Sequence, residues 1–319
     1  MLSSRAQSLA AKYGIVAVLI VLVAIATALY PRFLSLGNLR DILSQNAAVG
    51  IIAIGMTYVI LSRGFDLSVG SIYALGATVF AGVSISTNPI LAGLAALLVG
   101  TVVGLVNGLL VTRLNVNPFV ATLGTSSAIS GLAFVYSKSA PFVVSDPNFQ
   151  ILGLSSLATI PTPAVIFIVL AVVGGLVLAK TNLGRNIYAV GGNPEASRLS
   201  GLRVPVLVGG TYLLTGLLAT LAGMIDASRL GVGQADIGGT VALDAIAVVV
   251  IGGTSLLGGE GAIWRTVVGL LILATLTNMF YSLNVSQNWQ LIAKGVIVVA
   301  AVAMDGLLRR RRARRPAMA

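Results

Sequence analysis

Long apolar runs recur from residue 14 to residue 308 and are separated by short polar breaks. Crossing about 30 Å of hydrocarbon as a helix takes roughly 17 to 25 apolar residues, and the chain offers about ten such windows. They fall at residues 14–30, 47–62, 67–86, 89–112, 118–136, 163–179, 205–225, 241–257, 263–283 and 289–308. With 57% hydrophobic and 9% charged residues and a mean hydropathy of +1.00, the chain lies far from a soluble domain. Membrane-spanning strands would need ten-residue alternation of apolar and polar positions, which is absent. The expectation is an all-α polytopic membrane protein of about ten transmembrane helices, a single domain over residues 1–319.

Lysine and arginine bias sets orientation. With the N-terminus inside, fifteen basic residues face the cytoplasm, including the six arginines between Arg309 and Arg315, against four outside (Arg32, Arg40, Lys138 and Arg229). Both termini are therefore expected in the cytoplasm, and residues 309–319 read as a basic tail that locks the last helix and touches anionic lipid. The net charge of +11 is accounted for by this sidedness, so nucleic acid is not an expected partner. There are no cysteines and no histidines, which removes disulfides, thiol chemistry, zinc sites and imidazole relays. Arg5 and Lys12 precede an apolar run in the manner of a secretory signal, but the run reads as an uncleaved first helix.

Between the second and third windows lies Arg63-Gly64-Phe65-Asp66-Leu67-Ser68-Val69-Gly70-Ser71. A lone carboxylate costs about 2.5 to 3.5 kcal/mol at the centre of a membrane helix, so Asp66 belongs at an interface or in a sheltered gap. The plainer reading is a tight turn, with Asp66 and Ser68 capping the next helix. A similar glycine-rich break with one carboxylate, Gly258-Gly259-Glu260-Gly261, follows residues 246–254. Two further expectations are a short amphipathic surface helix at residues 33–43 and a surface loop at residues 137–162.

Residues 180–202 form the longest loop on the cytoplasmic side, and Asn193-Pro194-Glu195 contains a helix start: an asparagine cap, proline at the first position and an acid in the first turn. This predicts a short helix over 194–199 lying across the inner surface, which on the residues alone could be an ordinary connection. No phosphate-binding loop of the Gly-x-x-x-x-Gly-Lys-Ser/Thr type occurs, and without histidine no Ser-His-Asp arrangement is possible. The chain is not expected to be an enzyme or to bind a cofactor.

Four stretches resemble motifs of the ribose-type sugar permeases, membrane subunits of bacterial ATP-binding-cassette (ABC) importers. They are Gly55-Met56-Thr57-Tyr58-Val59-Ile60-Leu61 with the break after it, Asn107-Gly108 through Asn117-Pro118-Phe119 to Gly124, residues 184–201, and Gly258 to Ile263. The resemblance implies that residues 181–204 are the loop gripping a separate ATPase subunit, with Gly184, Arg185, Tyr188, Gly191, Asn193, Glu195, Ala196, Arg198 and Gly201 as coupling positions. It also implies a periplasmic sugar-binding protein, a second permease copy forming a homodimer, and ATP and magnesium held by the partner ATPase. The location implied is the bacterial inner membrane. Arg63 stands where the family pattern has the first of two glycines, and Trp264-Arg265 is bulkier than the small residues expected there.

Polar residues inside apolar windows are candidates for a translocation path or gate: Thr57, Tyr58, Asp66, Ser68, Ser71, Asn107, Asp244 and Asn278. Helix-helix hydrogen bonds are their plainer role. The function expected is import of a monosaccharide, pentose or hexose, with an ion-coupled secondary transporter as the alternative. A non-transporting scaffold or lipid-modifying enzyme is a further one.

Overall fold

In the computed structural model, which describes residues 4–313, helices dominate. In chain order they are α1 (Ser4–Leu29), α2 (Leu36–Leu61), α3 (Val69–Ser84), α4 (Pro89–Thr112) and α5 (Pro118–Ser137). A connecting region then carries strand β1 (Phe142–Val143), a single turn α6 (Ile151–Leu154), and strands β2 (Ser156–Leu157) and β3 (Ile160–Pro161). There follow α7 (Thr162–Lys180), α8 (Asn182–Gly192), α9 (Pro194–Leu199), α10 (Val204–Leu230), strand β4 (Val232–Gly233), α11 (Val241–Ile251), α12 (Ile263–Ser282) and α13 (Gln287–Ala313). Among the described residues six helices are long and apolar enough to cross a membrane: α2, α4, α5, α7, α10 and α12. Residues 314–319, the end of the expected basic tail, lie outside the described residues.

The core is built on α2 and α10. Every residue of α2 from Gly50 to Leu61 is buried, matching a segment that is apolar on all sides. Helix α10 packs against α2, α3 and α4, and its contact with α4 is made by small residues, Gly100, Gly104 and Gly108 facing Gly209 and Gly216. Such residues let helix backbones approach closely where water supplies no driving force. By contrast α4, α5 and α7 leave rows of leucine, valine and isoleucine exposed, as a lipid-facing surface requires.

Two of the expected spans are interrupted. Helix α3 begins only at Val69 and α11 stops at Ile251, so at 1.5 Å per residue their 16 and 11 residues extend about 24 and 16 Å, short of the hydrocarbon thickness. The remainder is non-helical chain, residues 62–68 before α3 and 252–257 after α11, and the turn before α11 closes on the start of α3, where a Cβ on Gly70 would collide with the Gly238 carbonyl oxygen. Irregular backbone at this depth is tolerated where it is enclosed in protein or lines a cavity.

Two sequence expectations are corrected. The amphipathic helix at 33–43 is not separate: it is the first part of α2, capped by Ser35, because residues 42–47 contain no helix breaker. The loop at 137–162 is also more than a surface loop. Phe149 is fully buried and stacks on Phe80 at 4.6 Å, and Ser228 Oγ donates to the Phe149 carbonyl at 2.6 Å while accepting from Gly153 N–H at 2.7 Å. Strand β1 pairs antiparallel with β4, Phe142 opposite Gly233, which fastens this region to the turn after α10.

Candidate functional site

Helices α8 and α9 lie at one end of the bundle. The α9 cap forms from the residues read in the sequence: Asn193 Oδ1 accepts from Ala196 N–H at 3.0 Å and Pro194 takes the first helical position. Helix α8 buries Gly184, Ile187, Val190 and Gly191 on one face and leaves Arg185 in solvent, bonded to Asn182. Tyr188 donates to the Gly261 carbonyl at 2.8 Å, and burial raises its phenol pKa, which keeps it a donor. Beyond it, Glu195, Ala196, Arg198 and Gly201 are exposed. Arg198 pairs with Glu195 at 2.8 Å, a hydrogen bond that raises the guanidinium pKa further, and Leu199 projects beside them 78% exposed. An apolar side chain rimmed by charges is the composition of a protein-docking surface.

This end is tied to both breaks through Arg63. The residue adopts a left-handed backbone, φ 64°, and sends its guanidinium across the junction. Nε donates to the Gly191 carbonyl at 2.8 Å and to that of Leu257 at 3.0 Å, and Nη2 donates to the Gly192 carbonyl at 2.9 Å. Gly259 N–H completes the junction by bonding to the Leu61 carbonyl at 3.0 Å. An arginine where a glycine is the family pattern thus leaves the turn intact and adds a clamp. The similarity of the two glycine-rich breaks has a spatial counterpart, since they touch each other at the α8 terminus.

Inside the first break, Asp66 is fully buried. Its Oδ1 accepts from Ser68 N–H at 2.9 Å and from Ser68 Oγ at 2.6 Å, and Asn107 Nδ2 donates to Ser68 Oγ at 2.7 Å. Asp66 Oδ2 and Asn107 Oδ1 are buried with no hydrogen-bond partner among the described residues. The rest of the break is held by hydroxyls: Tyr212 accepts from Phe65 N–H at 3.1 Å and Thr122 accepts from Leu67 N–H at 3.1 Å. Asp66 therefore turns the chain into α3, whereas Ser68 makes no side-chain cap.

The remaining path candidates are scattered. Thr57 bonds Thr266 at 2.8 Å, Tyr58 donates to the Gly174 carbonyl at 2.7 Å, and Asn278 exchanges amide bonds with Asn38, the shorter at 2.8 Å. All three join helix to helix. Asp244 forms an ion pair with Lys294 at 3.1 Å, linking α11 to α13. Ser71 alone of the set lines a polar cavity, where its Oγ lies 2.7 Å from Ser126 Oγ and 2.9 Å from Ser130 Oγ. Ser126 and Ser130 were not singled out in the sequence; their spacing of four on α5, facing Ser71, is the signal that would have found them.

A bundle of apolar helices with two broken spans, a polar cavity beside them and an exposed end carrying Leu199 among charges has the architecture of a multi-pass membrane permease. Residues 38–302 match the family model described as the permease component of branched-chain amino acid transport systems. The ribose import permease protein RbsC of Bacillus subtilis (strain 168) is 43% identical over 290 residues, covering 90% of each chain, and that of Escherichia coli (strain K12) is 42% identical over 292 residues, covering 90% of this chain and 91% of the relative. The galactose/methyl galactoside import permease protein MglC of Escherichia coli (strain K12) is 36% identical over 314 residues, covering 92% and 94%. No solved structure matches significantly. The chain belongs to the ribose-type sugar permeases of this ABC transporter family and is a multi-pass inner-membrane protein.

Proposed function

We propose that this chain is the membrane-spanning subunit of an ABC importer that carries a neutral monosaccharide into the cell, with ATP hydrolysed by a separate subunit. The observation that carries the reading is the Arg63 clamp, since it joins α8 and α9 to both breaks through carbonyls of Gly191, Gly192 and Leu257. In this account the chain crosses the membrane about ten times with both termini in the cytoplasm, as the basic-residue bias favours. The α8–α9 end then faces the cytoplasm, where Glu195, Arg198 and Leu199 meet the ATPase. Closure of the ATPase pair on ATP moves α8 and α9, and the clamp passes that movement to the chain segments preceding α3 and α12. The pore switches between outward and inward access because the segment before α3 walls the polar cavity at Leu67 and leads into Gly70 and Ser71.

Two permease copies form the pore, a homodimer in the simplest case, and a periplasmic binding protein delivers the sugar and sets specificity. ATP and magnesium stay on the ATPase, so this chain binds no cofactor. The sugar names of the relatives, ribose, galactose and D-allose, delimit the substrate class to test. Cells lacking this chain are compared with complemented cells for uptake of labelled D-ribose, D-allose and D-galactose. The reading requires complemented uptake of one of them that persists with a protonophore and stops when ATP is depleted. An ion-coupled carrier is the rival, favoured by the buried Asp66 with its unpartnered oxygen, and gives the opposite sensitivities.

A further inference from the structure

Three cavities of comparable size show different chemistry. The largest, about 500 Å³ between α7 and α12, is walled almost wholly by apolar side chains on a lipid-exposed flank. Another, about 380 Å³, lies beside α9 at the docking end. The third, also about 380 Å³, sits between α3, α5 and the break before α11, and falls within the usual size of small-molecule sites, about 300 to 1,000 Å³. Its wall combines the Ser71, Ser126 and Ser130 hydroxyls with the Asp236 carboxylate, and Phe134 supplies an aromatic surface.

We propose that this third cavity is a transient monosaccharide site in which Ser71, Ser126, Ser130 and Asp236 exchange hydrogen bonds with sugar hydroxyls. The proposal rests on the importer reading and assigns its passage to named residues. Each serine hydroxyl both donates and accepts, so the cluster can satisfy a sugar hydroxyl in either orientation. Its internal bonds of 2.7 and 2.9 Å keep it satisfied when no sugar is present. Asp236 has no ion-pair partner among the described residues, and a carboxylate with two free oxygens can accept from two adjacent hydroxyls of one ring. Phe134 offers a flat apolar face to the C–H side of the ring. No cation lines the cavity, which suits a neutral solute, and hydrogen bonds exchanged against water leave little net affinity. Weak holding is what a passage needs if the sugar is to leave it.

The natural absence of cysteine allows a direct test in the full-length chain assembled with its ATPase and binding protein in native membranes. Single variants Ser126→Cys and Ser130→Cys are treated with a small cationic methanethiosulfonate reagent, with Ser127→Cys, on the exposed flank of α5, as the control. Labelling at 126 and 130, slowed by D-ribose, D-allose or D-galactose together with ATP, with no labelling at the lipid-facing position 127, is the expected result. Ser126→Leu and Ser130→Leu should lower uptake of the transported sugar roughly tenfold or more, as a misfit of several methylenes does in a pocket, with ATPase co-purification unchanged. Wild-type import combined with thiols at 126 and 130 that never react, or with Leu variants at full rate, overturns the site alone. Failure of the wild-type chain to import any of the three sugars overturns the importer reading and the site with it.

Discussion

Arg63 Nε lies 2.8 Å from the carbonyl oxygen of Gly191, a residue 128 positions away, and the same guanidinium reaches the Gly192 and Leu257 carbonyls. The end of α2, the end of α8 and the break before α12 thus share one side chain. Motion of α8 that kept these bonds would drag both breaks, and motion that lost them would leave the carbonyl of buried Gly191 without its charged donor.

Arg63→Gly separates clamp from backbone, because glycine takes the left-handed conformation at no steric cost. Because the guanidinium is largely solvent-exposed, its loss should lower stability by only about 0.5 to 1.5 kcal/mol, read from thermal unfolding in detergent. Sugar imported per ATP hydrolysed should fall while the ATPase still co-purifies. An unchanged ratio would detach Arg63 from coupling.

Gly191 and Gly192 make a matched pair. A Cβ on Gly191 would sit 1.8 Å from the Leu61 carbonyl oxygen, a backbone atom that cannot move aside, whereas a Cβ on Gly192 meets nothing within 4 Å. Gly191→Ala should abolish uptake and Gly192→Ala should leave it near wild type, measured as labelled-sugar accumulation at matched membrane levels. Equal tolerance at the two positions would mean that α8 is not seated against α2 as described.

The docking surface should respond without loss of fold. Glu195, Arg198 and Leu199 are exposed, and a fully solvated ion pair adds little to stability, so Glu195→Lys and Leu199→Asp should leave thermal stability nearly unchanged. Both should reduce the ATPase recovered with the permease by pull-down. Full recovery with both variants would move the docking surface elsewhere.

Asp66→Ala removes the acceptor of two buried bonds and strands the Ser68 amide, at a cost of about 1 to 3 kcal/mol. Asp66→Asn keeps an oxygen for Ser68 and should retain most of that stability, and its uptake then reports whether the negative charge matters for transport. Stability that is the same for Ala and wild type would remove Asp66 from its turn-forming role.

Local chemistry made much of this chain legible. The apolar windows located the long helices, and the Asn193-Pro194-Glu195 start located α9 because capping depends on four consecutive residues. What was not legible depends on distant pairing. The third and eighth windows looked long enough to span because leucine and valine continue through them, yet α3 begins only after the Asp66–Ser68 turn and α11 ends at Ile251, where Gly252 packs against the Arg265 backbone. Asp244 read as a gate residue, but its partner Lys294 lies 50 positions on. Thr57, Tyr58 and Asn278 could not be told from pore-lining residues until the helices facing them were known. Ser126 and Ser130 carried only a spacing of four on one helix face, and the Ser71 that they meet lies 55 and 59 positions away.

The central claim is that this chain works as the pore of an ATPase-driven complex. Purification from its native membrane in mild detergent, followed by mass spectrometry of every co-purifying protein, tests it most directly. The account predicts an ATP-binding protein at equal stoichiometry with the permease, lost on Glu195→Lys. Reproducible isolation without any ATP-binding protein, from cells whose uptake through this chain collapses with a protonophore, would contradict it.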